Sequence, residues 1–268
     1  MDSNSSKPKI SFIGSGNVAC HLAKAFYGAG CRIGQVWSRN WHHASRVAQL
    51  VDAEPIDAIG ALSGDEDFLV IAVKDDAIAS VASQLESGNA MVVHTSGTTD
   101  IEVLRGTSSH FGVVWPFQTL SSSLEVDYRS LPLCVEGNDE ESAERLLWLV
   151  GLISGNTFVL NGEQRKWAHL AAVMANNFGN FLNASAQQML TRHGIPFELI
   201  APIVQATAQR MQSLKPGESL IDFQTGPAIR HDENTLNRHR AMLSDNPQLL
   251  QLYNLFTDLI QNFEKRND

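Results

Sequence analysis

A glycine-rich turn near the beginning of the chain has the spacing that binds the pyrophosphate of a dinucleotide. Gly14, Gly16 and Ala19 follow a short apolar segment and open a helical pattern. Glycines let the backbone approach the pyrophosphate, whose charge is met by free N–H groups and the dipole at the start of the helix. The alternative is a tight turn packed on a sheet without a ligand. The predicted contacts are Gly14, Ser15, Gly16, Asn17 and Val18.

The residues after the second predicted strand indicate which dinucleotide binds. An acidic residue there would accept hydrogen bonds from a ribose 2′-hydroxyl and would repel a 2′-phosphate. The sequence instead reads Trp37-Ser38-Arg39-Asn40. Ser38 can donate to a phosphate oxygen, and Arg39 can pair with or stack over the phosphorylated ribose, so NADP(H) is favoured over NAD(H). The alternative is that Arg39 is an ordinary solvated charge.

Polar residues also follow two later predicted strands. Val73, Lys74 and Asp75 come after one apolar run, and Thr95 and Ser96 come after the next. Open α/β sheets bind ligands at the carboxyl ends of their parallel strands, so we expect these residues to border the cofactor. The alternatives are that Asp75 serves as the N-cap of the next helix and that the others only form turns.

One face of a long predicted helix carries the candidate catalytic residues. At about 100° per residue this face holds an imidazole and four amides: His169, Asn176, Asn180, Asn183 and Gln187. A histidine titrates near working pH, so His169 is the predicted proton donor for a hydride transfer, with Lys166 as the second choice. Asn176 is predicted to polarise a carbonyl, and Asn180 to bind substrate. The alternative is an amide network between helices at a dimer interface.

Two further residues are predicted to contact substrate. Gln118 lies on a loop past Pro116, and Arg230 follows a turn that contains Gly226 and Pro227. Arg230 can hold an acidic substrate through two hydrogen bonds. Alternatively it pairs with Asp232 and stabilises the domain or a dimer contact. The nine histidines and three cysteines show no metal-ligand spacing, so no metal site is expected.

The elements that position these residues alternate between strand and helix through the first part of the chain. The expected strands are apolar at successive positions, which is typical of a sheet covered by helices on both faces. The prediction is a Rossmann-like, doubly wound parallel sheet. After Asn161 the apolar spacing is helical, with one uninterrupted helix expected over 163–193. We therefore divide the chain into an NADP-binding α/β domain, residues 1–161, and an all-α substrate and dimerisation domain, residues 162–268.

The composition excludes several classes of function. The 268 residues are 43% hydrophobic, enough for a sizeable core, and the formal charge of −9 disfavours nucleic acid as a partner. No apolar run reaches the length of a membrane span, and the polar N-terminus through Lys9 lacks the core of a signal peptide. With three widely spaced cysteines, the chain is expected to be a soluble cytoplasmic protein that acts on a small molecule.

These motifs resemble a family of two-domain Rossmann-like NADP oxidoreductases related to pyrroline-5-carboxylate reductase and to deazaflavin-dependent NADP reductases. The resemblance covers nearly the whole chain. It implies an N-terminal cofactor domain, a helical domain that completes the active site and often dimerises, and reversible hydride transfer to a C=O or C=N bond. Its marks are Gly-Ser-Gly-Asn-Val-Ala at 14–19, His-Thr-Ser-Gly at 94–97, Pro-Phe-Gln-Thr-Leu-Ser at 116–121, His-Leu-Ala-Ala-Val at 169–173 and Thr-Gly-Pro-Ala-Ile-Arg at 225–230.

The sequence departs from one pattern of the wider superfamily. Relatives in the β-hydroxyacid dehydrogenase branch carry a Lys and an Asn one helical turn apart, whereas Lys166 is followed at the fourth position by Leu170. The residues and the resemblance together predict an NADP(H)-dependent oxidoreductase, homodimeric through its helical half, that acts on a small carbonyl or imine compound. The alternatives are a non-catalytic NADP(H) sensor or scaffold, and electron transfer with a flavin or deazaflavin.

Overall fold

The computed structural model describes residues 7–86, 88–121 and 126–263. The first six residues of the predicted polar leader lie outside this part. The chain forms two compact units that divide between Phe181 and Leu182. The predicted domain boundary at Asn161 stays a prediction: a new helix begins there, while the first compact unit continues to Phe181.

The first unit is built on one eight-stranded sheet with the strand order β3-β2-β1-β4-β5-β6-β7-β8. All neighbouring strands are parallel except β6 and β7, which are antiparallel, so the sheet is mostly parallel. The strands are β1 (Lys9–Ile13), β2 (Arg32–Trp37), β3 (Glu54–Ile56), β4 (Phe68–Ile71), β5 (Met91–His94), β6 (Phe111–Pro116), β7 (Leu133–Gly137) and β8 (Thr157–Val159).

Helices pack on both faces of the sheet. The central strand β4 is buried along its whole length, and its side chains divide between two clusters: Val70 packs into one and Ile71 into the other. The doubly wound Rossmann-like prediction is therefore confirmed. The helices of this part are α1 (Asn17–Gly28), α2 (Trp41–Leu50), α3 (Asp75–Ala82), α4 (Glu140–Gly151) and α5 (Gly162–Ala172), with short 3₁₀ turns at Ile59–Ala61 and Ile101–Leu104.

The long helix expected over 163–193 is interrupted. A capping box starts α5: the Asn161 side chain accepts from the Gln164 N–H, and the Gln164 side chain accepts from the Asn161 N–H. A π-helical stretch, Val173–Phe178, then separates α5 from α6 (Gly179–Arg192). Because a π turn holds more residues than an α turn, side chains beyond it no longer share the face predicted from regular helical spacing.

The second unit consists of helices in its described part. A 3₁₀ turn, Phe197–Leu199, precedes α7 (Ala201–Gln212), a second one spans Leu220–Phe223, and α8 (Glu233–Met242) and α9 (Pro247–Gln261) follow. His239 on α8 is hydrogen-bonded to the hydroxyl of Tyr253 on α9 at 2.8 Å. In the described parts of both units, no helix combines the length and the apolar character that a membrane span requires.

Candidate functional site

A cleft of about 620 Å³ lies at the carboxyl edge of the sheet, around the glycine-rich turn. Its position is the one where open α/β sheets bind dinucleotides. With the exception of Ser96, every residue predicted to contact the cofactor lines it: Gly14, Ser15, Gly16, Asn17, Val18, Ser38, Arg39, Val73, Lys74, Asp75 and Thr95. Trp37, His43, Ala72 and Leu120 line it as well and were not predicted.

The two glycines of the turn have different roles. Gly14 has φ +127°, and a Cβ at this position would lie 2.1 Å from the carbonyl oxygen of Ala72, so only glycine fits. Gly16 is the N-cap of α1, and a Cβ there would meet nothing within 4 Å. No side chain caps the helix start, so its first N–H groups remain available to an anion in the open space beside Gly16.

The end of β2 supplies hydrogen-bond donors for the ribose side of the cleft. Ser15 Oγ donates to Ser38 Oγ at 2.9 Å, which joins the glycine turn to this strand end. Arg39 and His43 line the same part of the cleft without any acidic residue between them in the sequence. His43 stands four residues after Arg39, in the first turn of α2, and this short spacing is the signal that could have identified it.

The opposite end of the cleft is formed by Asp75 and the loop after β5. Ser96 is buried, and its hydroxyl donates to Asp75 Oδ2 at 2.7 Å while accepting from the N–H groups of Thr98 and Thr99. The Ser96 hydroxyl is therefore fully used in bonds to Asp75 and to its own loop, and Ser96 does not line the cleft, so its predicted contact with the cofactor stays a prediction. Thr95 does line the cleft. Asp75 is the first residue of α3 and not its N-cap, which is Lys74.

The side chain of His94, at the end of β5, is hydrogen-bonded to the backbone of this loop. Its Nδ1 accepts a hydrogen bond from the Ser96 N–H at 3.1 Å, and its Nε2 has no partner among the described residues. Burial, reinforced by the charge of Arg165, lowers the pKa of His94 to about 4. The imidazole is therefore neutral at physiological pH, with its proton on Nε2.

A second cleft, of about 590 Å³, lies between the loop after β6 and the helix α5 with its π-helical extension. It brings together three of the predicted residues: Gln118, His169 and Asn176. The His169 ring lies 6.1 Å from the Trp115 ring, and Asn176 Nδ2 donates to Thr119 Oγ1 at 3.0 Å. The remaining lining is mostly apolar or neutral: Trp115, Pro116, Phe117, Thr119, Ala172, Val173, Ala175 and Asn177. A π-helical turn at the wall of a cleft is typical of functional sites.

Three predicted residues are placed elsewhere. Lys166 is exposed and pairs with Glu163 at 2.9 Å, which raises its pKa and makes it a poor proton donor. Asn180 is exposed beyond the π-helical stretch and does not line this cleft. Arg230 is an exposed residue of the second unit, where the Asp232 carboxylate accepts hydrogen bonds from the Thr235 N–H and hydroxyl groups. The hydrogen bonds from Thr235 lower the pKa of Asp232, and the nearby charge of Arg230 lowers it further, but no direct ion pair joins these two described residues.

The loop after β6 borders both clefts. Leu120 lines the first cleft and Thr119 the second. The loop is held against α1, because Asn17 Nδ2 donates to the Leu120 carbonyl at 3.2 Å and His21 Nε2 bonds to the Ser121 carbonyl at 3.0 Å. A carbonyl only accepts, so the proton of His21 is on Nε2, and Nδ1 accepts from the Tyr128 hydroxyl at 3.0 Å.

Two family descriptions match the sequence. Residues 9–96 match the family described as NADP oxidoreductase, coenzyme F420-dependent, and residues 131–260 match a domain of unknown function, DUF2520. No curated protein matches the chain. A crystal structure from Bacteroides fragilis, described as an NADP oxidoreductase, has 36% sequence identity and a TM-score of 0.85, and the alignment covers 96% of this chain and 99% of that one.

Two more distant structures share the fold. Pyrroline-5-carboxylate reductase from Streptococcus pyogenes has 14% identity and a TM-score of 0.67, over 96% of this chain and 100% of that one. An imine reductase from Myxococcus stipitatus, solved in complex with NADP+, has 16% identity and a TM-score of 0.64, over 97% and 95%. At these identities the similarity shows the fold alone.

Proposed function

The chain belongs to the family of two-domain NADP oxidoreductases whose C-terminal part is the DUF2520 domain, and on that premise we propose that it transfers a hydride between NADP(H) and a small carbonyl or imine compound. One observation carries the proposal: the same compact unit holds a dinucleotide cleft and a second, largely neutral cleft that contains His169. The nicotinamide ring of the bound cofactor supplies or accepts the hydride.

The proposed cofactor is the phosphorylated dinucleotide. Ser38, Arg39 and His43 offer hydrogen-bond donors where a 2′-phosphate would lie, and the first turn of α1 offers free N–H groups to the pyrophosphate. The relatives agree with this choice in part: one imine reductase was solved with NADP+, whereas a variant of the same enzyme was solved with NAD+. We expect Arg39 to contribute most to the preference for NADP(H) over NAD(H).

His169 is the proposed proton donor. Hydride addition to a carbonyl or imine leaves negative charge on oxygen or a nitrogen that needs a proton, and an imidazole can supply one near neutral pH. Trp115 packs beside the His169 ring and restricts its orientation. Asn176 Nδ2 donates to Thr119 Oγ1 at 3.0 Å and to Asn177 Oδ1 at 3.4 Å, and a substrate carbonyl that replaces the longer of these two bonds would be polarised by the amide. Lys166, held by Glu163, is the less suitable donor.

We further propose that the protein is a cytoplasmic homodimer. Large apolar side chains are more than half exposed along α5 and its π-helical extension: Trp167 at 69%, Met174 at 60% and Phe178 at 55%. Neighbouring exposed side chains, Leu170 and Phe181, extend this apolar surface. Isolated apolar residues at the surface are ordinary, but a continuous series along one helix is typical of an interface. The proposed occupant is a second copy of the chain.

A binding and turnover experiment tests the function. NADPH and NADH are titrated by their nicotinamide fluorescence into wild-type protein, and NADPH oxidation is then followed with a panel of cyclic imines and aldehydes. Tight NADPH binding with turnover of at least one compound, abolished in His169→Gln, is the expected result. Tight binding without turnover would support the sensor or scaffold alternative. Failure of both nucleotides to bind at millimolar concentration would overturn the proposal altogether.

A further inference from the structure

Arg165 is a buried cation that no part of the proposed reaction uses. Only 1% of its side chain is exposed, and its guanidinium forms a two-pronged ion pair with Glu136 of β7, at 2.8 Å from Nε and 2.6 Å from Nη2. Glu136 also accepts from the Gly162 N–H at 2.9 Å and so fixes the first turn of α5. Burying a charge is costly, and a cation retained in the core needs every donor satisfied.

The remaining donors of Arg165 satisfy the loop after β5. Nη1 donates to the Ser96 carbonyl at 3.1 Å, and both terminal nitrogens donate to the Thr99 carbonyl at 3.2 Å. The planar fork of arginine makes all of these bonds at once, which the point charge of a lysine cannot do. Arg165 therefore joins α5 and β7 to the backbone of the loop that carries Thr95.

The same loop is held from its other side. Asp75 accepts from the hydroxyl groups of Ser96 and Thr98, at 2.7 and 3.0 Å. Gly97 lies against Trp115, because a Cβ on Gly97 would come within 2.5 Å of the indole ring. Asp75 borders the cofactor cleft, and Trp115 borders the second cleft beside His169. The loop therefore lies between the two clefts and is held by Asp75 at the first cleft and by Trp115 at the second.

The strand order shows which end of the cofactor this loop meets. The glycine turn follows β1, and Ser38 and Arg39 follow β2, so the phosphorylated ribose lies toward the β2 side of the pyrophosphate. Residues 95–99 follow β5, which lies beyond β4 on the other side of β1. A dinucleotide extended across the switch point therefore brings its nicotinamide half to Thr95.

From these contacts, and resting on the proposed function, we propose that Arg165 is a positioning residue for the nicotinamide half of the cofactor. By holding the carbonyls of Ser96 and Thr99, it sets where Thr95 lies relative to His169, which follows Arg165 by one helical turn on α5. It contributes nothing to the phosphate contacts of the other half. The two halves of the cofactor should therefore respond differently when Arg165 is changed.

The test compares two ligands that share the adenosine half, with its 2′- and 5′-phosphates, but differ in the nicotinamide half. NADPH and 2′,5′-ADP, which lacks the nicotinamide half, are titrated calorimetrically into wild type and Arg165→Lys. The substitution keeps the charge opposite Glu136 and removes the fork. We expect the affinity for NADPH to fall about tenfold, the equivalent of one lost charge-assisted bond, while the affinity for 2′,5′-ADP changes by less than about twofold. Arg145→Lys on α4 is the matched control, and it should alter neither affinity.

A second variant keeps the test decisive if Arg165→Lys does not fold. Gly97→Ala places a methyl group against Trp115 and so displaces the loop. It should also lower the affinity for NADPH and leave the affinity for 2′,5′-ADP unchanged. Equal weakening of both ligands, or no change in either, would overturn the positioning role while leaving the proposed function intact. If wild-type protein binds neither ligand, the proposed function fails and this inference fails with it.

Discussion

Ser15 and Ser38 are hydrogen-bonded through their hydroxyl oxygens at 2.9 Å, although the chain places them on the turns after two different strands. This contact ties the pyrophosphate turn to the residues that face the ribose. The two regions that we propose to bind the phosphates of the cofactor therefore form one continuous wall of the cleft, and substitutions at its β2 end are expected to act on NADPH and NADH unequally.

Arg39 and His43 should discriminate between the two cofactors. Removing a charged contact to the 2′-phosphate costs about 1.5–3 kcal/mol of binding free energy. Arg39→Ala should therefore lower the affinity for NADPH at least about tenfold and leave the affinity for NADH nearly unchanged. His43→Ala should have a smaller effect in the same direction. His42→Ala is the control, because this neighbouring histidine does not line the cleft. Fluorescence titration checks the prediction, and an equal effect of Arg39→Ala on both nucleotides would contradict it.

Substitutions at the two glycines of the turn should have separate effects, one on the stability of the fold and the other on NADPH binding. Gly14→Ala places a Cβ against the Ala72 carbonyl at a φ of +127°, so the strained backbone alone should cost about 1–3 kcal/mol of unfolding free energy. Gly16→Ala has open space around its Cβ and should leave stability unchanged, but the methyl group occupies the path of the pyrophosphate. Urea denaturation and NADPH titration of both variants measure the contrast. NADPH binding by Gly16→Ala at wild-type affinity would argue against the predicted site.

His94 should make the protein sensitive to mild acid. Its pKa of about 4 in the folded chain lies below the ordinary value near 6.5, so between these limits the unfolded chain binds a proton that the folded chain does not. Stability present above pH 6.5 is therefore lost as the pH falls toward 4, by about 1.4 kcal/mol per pH unit, or about 2 kcal/mol between pH 6.5 and 5.

His94→Asn isolates this contribution, because the amide oxygen replaces Nδ1 as the acceptor of the Ser96 N–H. Urea denaturation of both proteins at pH 7 and pH 5 gives the comparison. The variant should lose less stability than wild type over this interval, whatever its stability at pH 7. Identical losses in the two proteins would show that His94 is protonated as easily in the folded chain as in the unfolded one.

His169 should affect turnover without affecting cofactor affinity. Loss of a general acid reduces rates by about 10²–10⁴-fold, so His169→Gln should lower kcat to this extent with a turned-over imine or aldehyde. NADPH affinity should stay within about twofold of wild type, because His169 lines the second cleft and not the first. His193→Gln, at an exposed position after α6, is the control. Undiminished kcat in His169→Gln would remove this residue from the mechanism.

The exposed apolar residues on α5 and its extension should govern the oligomeric state. A charge placed in a dimer interface is desolvated without a partner, so Met174→Glu should shift the protein to monomers at micromolar concentration. Leu50→Glu introduces the same charge at a comparably exposed apolar position at the end of α2 and should leave the oligomeric state unchanged. Sedimentation velocity distinguishes the outcomes, and a wild-type monomer would contradict the proposed dimer.

The sequence predicts most of the residues that line the first cleft, because they occupy local positions with local signals. The glycine turn, the end of β2 and the ends of β4 and β5 each follow a run of apolar residues, and parallel strands bring such ends to one edge. Fully apolar strands such as β4 also indicate the doubly wound sheet without any long-range information.

The rest of the site depends on contacts that no local pattern contains. Arg165 pairs with Glu136 at a separation of 29 residues and with the Ser96 carbonyl at 69, and nothing in the neighbouring sequence distinguishes it from a surface arginine. β7 runs antiparallel to β6 and follows a long connection. The composition of that connection does not indicate in which direction the next strand runs. The π-helical stretch places Asn180 on a different face of the helix from the one that regular α-helical spacing predicts.

The loop after β6 has a consequence for how the two ligands bind. Thr119 and Leu120 are adjacent in the chain, yet one faces the second cleft and the other faces the dinucleotide cleft. A shift of this segment on occupation of one cleft would change the walls of both, and the two binding free energies would then be linked. Linkage is reciprocal: whatever factor the dinucleotide applies to substrate affinity, the substrate applies equally to the dinucleotide.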